Sequence, residues 1–513
     1  MNHVTDHVDV VIVGSGPAGS TYARQICDRL PDARVLLVEA GPVVSQPPGT
    51  HVNTITDTEA RARAKVASQG PTRYSYGIPS AELRLLTHRS GRDGSILPHA
   101  GLFLLSSAQE VSPDFPAAAM ASNVGGMGAH WFGACPRPAG TERIGFLDAR
   151  ILDDALATAE QLLQVSSTQF AGSEVAARRE HLLGALFDHG RAAQRRVQPM
   201  PLALNREEPG TGQSGPAVIL GPLLSGAHGH FELRPGTLCR RVVMKGDQAT
   251  AVELVDLAAG SAYRIAADHV VIAADSLRTP QLLFASGVRP AALGRHLNEH
   301  PYIAAILDVG EPAGETGDPE IEALMSSSGV TWIPFDGDRF PMQVQMQQRS
   351  NLLTLGAFLR KQIACENRVE FSESDVDWQE LPSMRMHYSL SETDRKAVDQ
   401  GMDVMAAIAE AYGGRFLDGW PGLMPNGSSL HYQGTVRMGA EDDGNSVCDP
   451  QSRVWDTGNL YVAGNGVIPT STACNPTLTS VALATIGAQE ILGQLNGRSR
   501  SSRDSQDSDA APR

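Results

Sequence analysis

The chain has 513 residues, 42% of them hydrophobic and 19% charged, which is enough apolar material for two or three packed units. Lys and Arg number 42 against 57 Asp and Glu, a net charge of −15; so acidic a chain repels phosphate backbones and anionic lipid, which argues against nucleic acid or a membrane surface as a partner. The six cysteines form no C-x-x-C pair and signal no metal site, their scatter suits a reducing cytoplasm, and no apolar run approaches the ~18 residues of a membrane span.

Val8–Val13 is a continuous apolar run, as a strand buried on both faces should be. Gly14-Ser15-Gly16-Pro17-Ala18-Gly19 follows, then a helix to about Leu30, then a second strand over Arg34–Val38 that ends at Glu39. This is a βαβ unit with G-x-G-x-x-G at its first turn. Gly14 permits the tight turn, Gly16 lets the backbone approach a pyrophosphate, and Gly19 lets the helix pack on the strand. Glu39 stands where an acid accepts a hydrogen bond from an adenosine 2′-hydroxyl. The motif alone fits FAD and NAD equally.

Residues 42–120 are rich in Pro, Gly, Ser and Thr and show no long periodic segment, so they read as an excursion over the cofactor. A helix is expected over Asp148–Leu163, and strands over Phe231–Arg234, Arg241–Met244, Thr250–Leu257 and His269–Ala273. Residues 300–390 hold alternating segments, among them Met342–Gln347, in which Gln343, Gln345 and Gln347 share one face. That face suits sugar hydroxyls, and equally a solvated sheet. Asn459–Ala463 is a further strand, and Pro476–Leu492 a helix stopped by Gly493. The Ser/Arg/Asp tract 498–513 reads as a disordered tail. The expected fold class is α/β with mixed α+β character. A Rossmann-like dinucleotide-binding domain drawn from 1–45, 115–145, 215–300 and 445–497 interleaves with an antiparallel-sheet substrate domain from 146–214 and 301–444, under a lid over 46–114.

Three further segments carry a resemblance. Ser122–Trp131 reads SNVGGMGAHW, His431–Gly439 reads HYQGTVRMG, and Asn459–Ala484 reads NLYVAGNGVIPTSTACNPTLTSVALA. With VIVGSGPAGS near the start and VVIAADSLRTPQLLFASG in the middle, the chain resembles the glucose–methanol–choline oxidoreductases, and within them the pyranose oxidases and bacterial glycoside 3-oxidases and C-glycoside oxidases. The resemblance implies FAD as cofactor. It places Asn123, Gly125, Gly126, Met127, His130, Cys239, Ala274, Gly464, Asn465 and Thr477 against that cofactor. It makes His431 the base and Asn475 its partner on one substrate hydroxyl, with Gln345 on the substrate side. Chemistry agrees on His431, since a neutral imidazole is the natural acceptor for a hydroxyl proton near pH 7. Asn475 directly precedes Pro476 and would also suit a helix N-cap. In pyranose oxidases the histidine at the His130 position is bonded to the flavin; here Ala129 and Phe132 replace hydroxyl residues beside it, and covalent and noncovalent FAD both stay open. The implied activity is oxidation of a secondary hydroxyl, at C2 or C3, of a sugar or glycoside, C-glycosides included, with O2 reduced to H2O2. A dehydrogenase using a quinone or protein acceptor, and a lyase that keeps the flavin redox-silent, are the alternatives within the family. An NAD-dependent dehydrogenase is the alternative outside it.

Overall fold

The computed structural model describes residues 4–70, 101–105, 112–205, 212–310 and 328–509. Most of the expected lid, residues 71–100 and 106–111, lies outside them.

The first sheet has seven strands drawn from three distant stretches of chain. Phe231–Arg234, Val35–Val38, Val4–Val13 and Ser261–Ile272 lie side by side and parallel. Ser261–Ile272 is long enough to take two further partners: Gln248–Asp256 antiparallel along its first half, and Leu460–Val462 parallel along its last three residues. The apolar run at the N-terminus is continuous because both faces are covered. Val11 and Val13 face Leu152 and Leu156 of the helix Ala149–Leu163. Val10 and Ile12 face Tyr22 and Ile26 of the helix Pro17–Arg29, together with Ala488 and Ile491 of the C-terminal helix. Each such side chain fully removed from water contributes ~1.5–3 kcal/mol.

The second sheet is antiparallel and also has seven strands. Its centre is Tyr302–Asp308, Leu352–Leu359 and Met342–Arg349. Strand alternation divides its faces. Val344, Met346, Leu353 and Leu355 pack beneath Met405 and Ile408 of the helix Glu392–Tyr412. Gln343 and Gln345 point the other way and are buried, so this face is not a solvated one.

Two expectations about local structure are corrected. The stretch after Gly41 contains a helix, Thr58–Ser68, capped by the Asp57 carboxylate on the Ala60 N–H at 2.6 Å. Its apolar residues are too few to show a period, but the cap and its Ala-rich body suffice locally. The C-terminal helix does not stop at Gly493: it spans Thr477–Asp509, so the backbone expected to be disordered from 498 continues it. One interior glycine costs a helix only ~1 kcal/mol, and Leu492 and Leu495 on either side of it are buried. Among the described residues, no helix is long and apolar enough to cross a membrane.

The glycine turn gives a direct test. A Cβ on Gly19 would lie 1.9 Å from the Gly14 carbonyl oxygen, whereas one on Gly16 would meet nothing within 4 Å. Gly19→Ala is expected to lower stability by about 3 kcal/mol through overpacking, read as a fall in the thermal midpoint. With the apoprotein compared in both cases, Gly16→Ala should leave the midpoint in place, and equal midpoints for the two variants would contradict this packing.

Candidate active site

One cavity of about 750 Å³ runs from the glycine turn at Gly14 and Gly16 to His431 and Asn475. Every residue assigned to the site from sequence lines it except Gly19, Asn123 and Gly125, which lie behind its wall. At the near end, the helix Pro17–Arg29 starts at Gly16 with no acidic residue in its first turn, leaving a positive helix end open to an anion. Glu39 accepts from the Ser15 N–H and hydroxyl at 3.1 and 2.7 Å, and from the Gly41 N–H at 3.0 Å. The Ala40 N–H is a fourth donor, so the Glu39 carboxylate is held by three backbone N–H groups and one hydroxyl. Ser15 in turn accepts from the Gly125 N–H at 2.9 Å, which fixes the glycine-rich loop 125–128 over the turn. Cys239, buried at 4% exposure, has its thiol 3.8 Å from the Arg241 carbonyl.

His130 stands on that loop. The Asn123 amide donates to the carbonyls of Val124 and Gly126, at 2.8 and 3.4 Å, so its oxygen faces His130 Nε2 at 3.1 Å. His130 therefore carries its hydrogen on Nε2 and a lone pair on Nδ1. Nδ1 is buried with no hydrogen-bond partner among the described residues. It is turned toward Gly101, where a Cβ would come within 2.4 Å of it and where φ is +97°. Burial pushes the imidazole down to about 3, so it is neutral.

At the far end, Asn475 does not cap the helix that follows it. Its Oδ1 accepts from Gln343 Nε2 at 2.8 Å and from Gln345 Nε2 at 2.7 Å, and its Nδ2 approaches His431 Nε2 at 3.3 Å. Gln345 lines the cavity, but its amide hydrogens are aimed at Asn475; a substrate contact is left to its oxygen. His431, itself half-buried, has its Nδ1 3.0 Å from Nδ1 of a fully buried histidine, His300. Phe358 covers both rings, its centroid 5.0 Å from that of His431 and 6.0 Å from that of His300. Burial pushes His431 down from 6.5 to about 3. A neutral imidazole with an open Nε2 and an amide N–H beside it can take a proton from a hydroxyl while holding its oxygen.

Two buried carboxylates hold the loops that carry this pair. Glu142 accepts from the N–H groups of Ala473 and Cys474 at 2.8 and 2.9 Å, immediately before Asn475. Glu299 accepts from the Gly427 and Ser429 N–H groups at 2.5 and 2.9 Å, and from the Ser429 hydroxyl at 2.8 Å, just before His431. Desolvation raises both, Glu299 to about 7. Neither acid, nor His300, stood out as a site residue in the sequence, and Gln343, which shared the polar strand face, did not stand out as a partner of Asn475. Glu299 and His300 sit in LNEHPY at a strand entry, where single polar residues leave no periodic trace.

Two segments match family models described as GMC oxidoreductase, residues 223–302 and 365–484. Over 95% of its length the chain is 42% identical to a C-glycoside 3-oxidase of Microbacterium trichothecenolyticum, covering 97% of that protein. It is 41% identical to a C-glycoside 3-oxidase of Arthrobacter globiformis, over 95% of each. It is 28% identical to the pyranose 2-oxidase of Tricholoma matsutake, over 96% of this chain and 95% of that one. Among solved structures it superposes on an Aspergillus oryzae formate oxidase with a TM-score of 0.67 at 15% identity, over 96% of this chain and 99% of that one. It also superposes on pyridoxine 4-oxidase from Mesorbium loti with a TM-score of 0.62 at 18% identity, over 94% and 99%. These two likenesses speak to the fold, and the closer sequence identities to the family: the chain belongs to the GMC oxidoreductases.

Proposed function

We propose that the protein oxidises the C3 hydroxyl of a pyranose glycoside, C-glycosides included, to the ketone, with FAD as cofactor and dioxygen reduced to hydrogen peroxide. The observation that carries this reading is the His431–Asn475 pair at one end of a cavity whose other end is a dinucleotide turn. The names of the two relatives above 40% identity support the glycoside and the carbon. The residues present fit FAD. Gly16 has nothing within 4 Å of where its Cβ would be, so the backbone there is open to a phosphate, and Glu39 lines the same end of the cavity, where a ribose hydroxyl would meet its carboxylate. Gly126, Met127, Asn465 and Thr477 would line the flavin end. The C-terminal helix begins at Thr477 with no acid in its first turn, and its N-terminal N–H groups suit negative charge.

FAD, when bound, supplies the hydride acceptor. His431 Nε2 takes the proton of the substrate hydroxyl. Asn475 Nδ2 donates to the hydroxyl oxygen and so aims the proton at His431. Phe358 packs against the half-buried imidazole and partly desolvates it. In this reading His130 leaves the FAD noncovalent, because its Nε2–H is given to Asn123 and its Nδ1 is turned toward Gly101.

Three outcomes are expected. Anaerobic addition of O- and C-glycosides should bleach the flavin and yield a 3-keto product by NMR, and His431→Ala should slow bleaching by about 10²–10⁴-fold, the usual scale for a general base; absence of bleaching with every glycoside and free sugar would overturn the proposal. Acid precipitation of the holoprotein should leave the yellow colour in the supernatant, and a yellow pellet would contradict a noncovalent FAD. The third concerns pH. Because burial lowers His431 to about 3, its neutral form persists as pH falls through 6.5, the usual value for the side chain. The kcat/KM profile should therefore stay flat from about pH 8 to about pH 5 in the still-folded enzyme; a reversible acid limb centred near pH 6.5 would show the base to be solvated.

A further inference from the structure

We infer that His300 is a positioning residue for the reaction, and that it acts by fixing which nitrogen of His431 carries the hydrogen. The inference rests on His431 being the base proposed above. It follows from a chain of polar groups whose two ends allow one direction only.

One end is the indole of Trp332. An indole N–H can donate but not accept, and it donates to Gln343 Oε1 at 2.8 Å. Gln343 is fully buried, and its amide hydrogens then point at Asn475 Oδ1. Gln345 delivers a second donor to the same oxygen. With Oδ1 so occupied, the end of Asn475 that faces His431 is its NH2 group, which has no acceptor capacity. The 3.3 Å contact is a hydrogen bond only if His431 Nε2 bears a lone pair. The hydrogen of the neutral ring therefore sits on Nδ1.

That nitrogen faces His300 Nδ1 at 3.0 Å. Two nitrogens this close share one hydrogen, and His431 supplies it. His300 Nδ1 is then the acceptor, and the His300 hydrogen lies on Nε2, directed at the Thr472 hydroxyl oxygen 3.2 Å away. The Thr472 hydroxyl donates onward to Gln433 Oε1 at 3.2 Å. The Gln433 amide end is committed to the His431 carbonyl at 3.3 Å, so its oxygen is left to accept. The opposite direction has one contact in its favour, Gln433 Nε2 to His300 Nε2 at 3.4 Å. It would set an N–H of His431 against the NH2 of Asn475. Two bonds of 2.7 and 2.8 Å on Asn475 outweigh one at 3.4 Å.

His300 thus plays toward His431 the part a carboxylate plays in a Ser-His-Asp triad, with a neutral ring in place of a charge. It keeps Nε2 bare in the resting protein. When Nε2 takes the substrate proton, its lone pair receives the Nδ1–H of the new imidazolium. Phe358 closes over both rings, so water is a poor substitute for it.

The test uses holoenzyme labelled with ¹⁵N-histidine, and His431→Ala to assign the His431 signals. The native enzyme should show His431 with hydrogen on Nδ1 and a lone pair on Nε2. His300→Leu removes the acceptor. It should mix the two tautomers and slow anaerobic flavin reduction by about 10²-fold, on the scale of removing a group that orients a functional histidine, with little change in KM. His300→Asn sets a carbonyl oxygen near the Nδ1 position, and should restore the native ¹⁵N pattern and a rate within about tenfold of native. Thr472→Val keeps the volume and removes the hydroxyl; it should shift the tautomer balance and slow reduction several-fold. A native rate in His300→Leu would overturn the inference, as would equal impairment of the Leu and Asn variants with an unchanged ¹⁵N pattern. If His300→Leu does not fold, Thr472→Val decides alone: an unchanged pattern and rate overturn the inference. The ¹⁵N readout needs no turnover, so failure of the glycoside reading and failure of the tautomer assignment are told apart.

Discussion

The arrangement of the candidate site depends on one oxygen, Asn475 Oδ1, which accepts two hydrogen bonds. It belongs to the loop that leaves the last strand of the first sheet, and both its hydrogen bonds come from a single strand of the second, at Gln343 and Gln345. Each bond contributes ~1 kcal/mol net, while stranding a buried amide such as Gln343 would cost about 1–3 kcal/mol. The directional consequence is larger than the energetic one. The two ends of a carboxamide have nearly the same shape and opposite polarity, so shape alone cannot choose between them. Two donors on the oxygen do choose, and they leave a donor facing the imidazole and any hydroxyl placed beside it. The two sheets are thereby coupled at the point where their relative position matters to within a hydrogen-bond length.

The loops carrying His431 and Asn475 need a different kind of support. Neither lies in a strand ladder at the residues concerned, so their N–H groups require acceptors from elsewhere. Glu299 and Glu142 supply them from the interior. Burial raises both carboxyls, which sets the sign of their linkage to pH. A carboxyl raised in the folded state binds its proton more tightly there than in the unfolded chain. Its contribution to stability is complete at acid pH and is lost as pH rises through the folded value, about 7 for Glu299. The half-buried, desolvated imidazole of His431 has the opposite sign, since its depressed value makes the fold lose stability as pH falls below 6.5. Acid and base limits on this site therefore come from different residues, placed on either side of one loop.

Much of this was legible in the sequence where a pattern is local. The run Val8–Val13, the glycine spacing and Glu39 define a strand, a turn and an acceptor from contiguous residues, and the structure holds all three in those places. Met342–Gln347 was legible as a strand with one polar face, because alternation is a property of the strand itself. What that face touches was not: Gln343 and Gln345 read equally well as sugar ligands or as surface, and only the fold brings Asn475, 130 residues further on, within 2.7 Å of Gln345. His300 and Glu299 were invisible for the same reason. The Gly493 stop failed for another. A glycine is a weak helix breaker when the flanking turns are packed, and the packing of Leu492 and Leu495 is a tertiary fact.

Burial of His431 creates the need that His300 meets. Packing against Phe358 desolvates the half-buried ring and lowers it to about 3, so it is neutral, and thus able to accept a proton, at ordinary pH. The same desolvation disfavours the imidazolium that the proposed proton transfer would form, since a charge without water or a counter-charge is poorly stabilised. A carboxylate beside the ring would stabilise that charge, but it would also raise the imidazole toward permanent protonation and so remove the base. A neutral acceptor avoids both outcomes. It adds no charge to the resting site, and it offers a lone pair to the Nδ1–H at the moment the proton arrives. A second histidine held in the fitting tautomer by a threonine hydroxyl and a glutamine carbonyl has that property, and it is what the structure places at 3.0 Å.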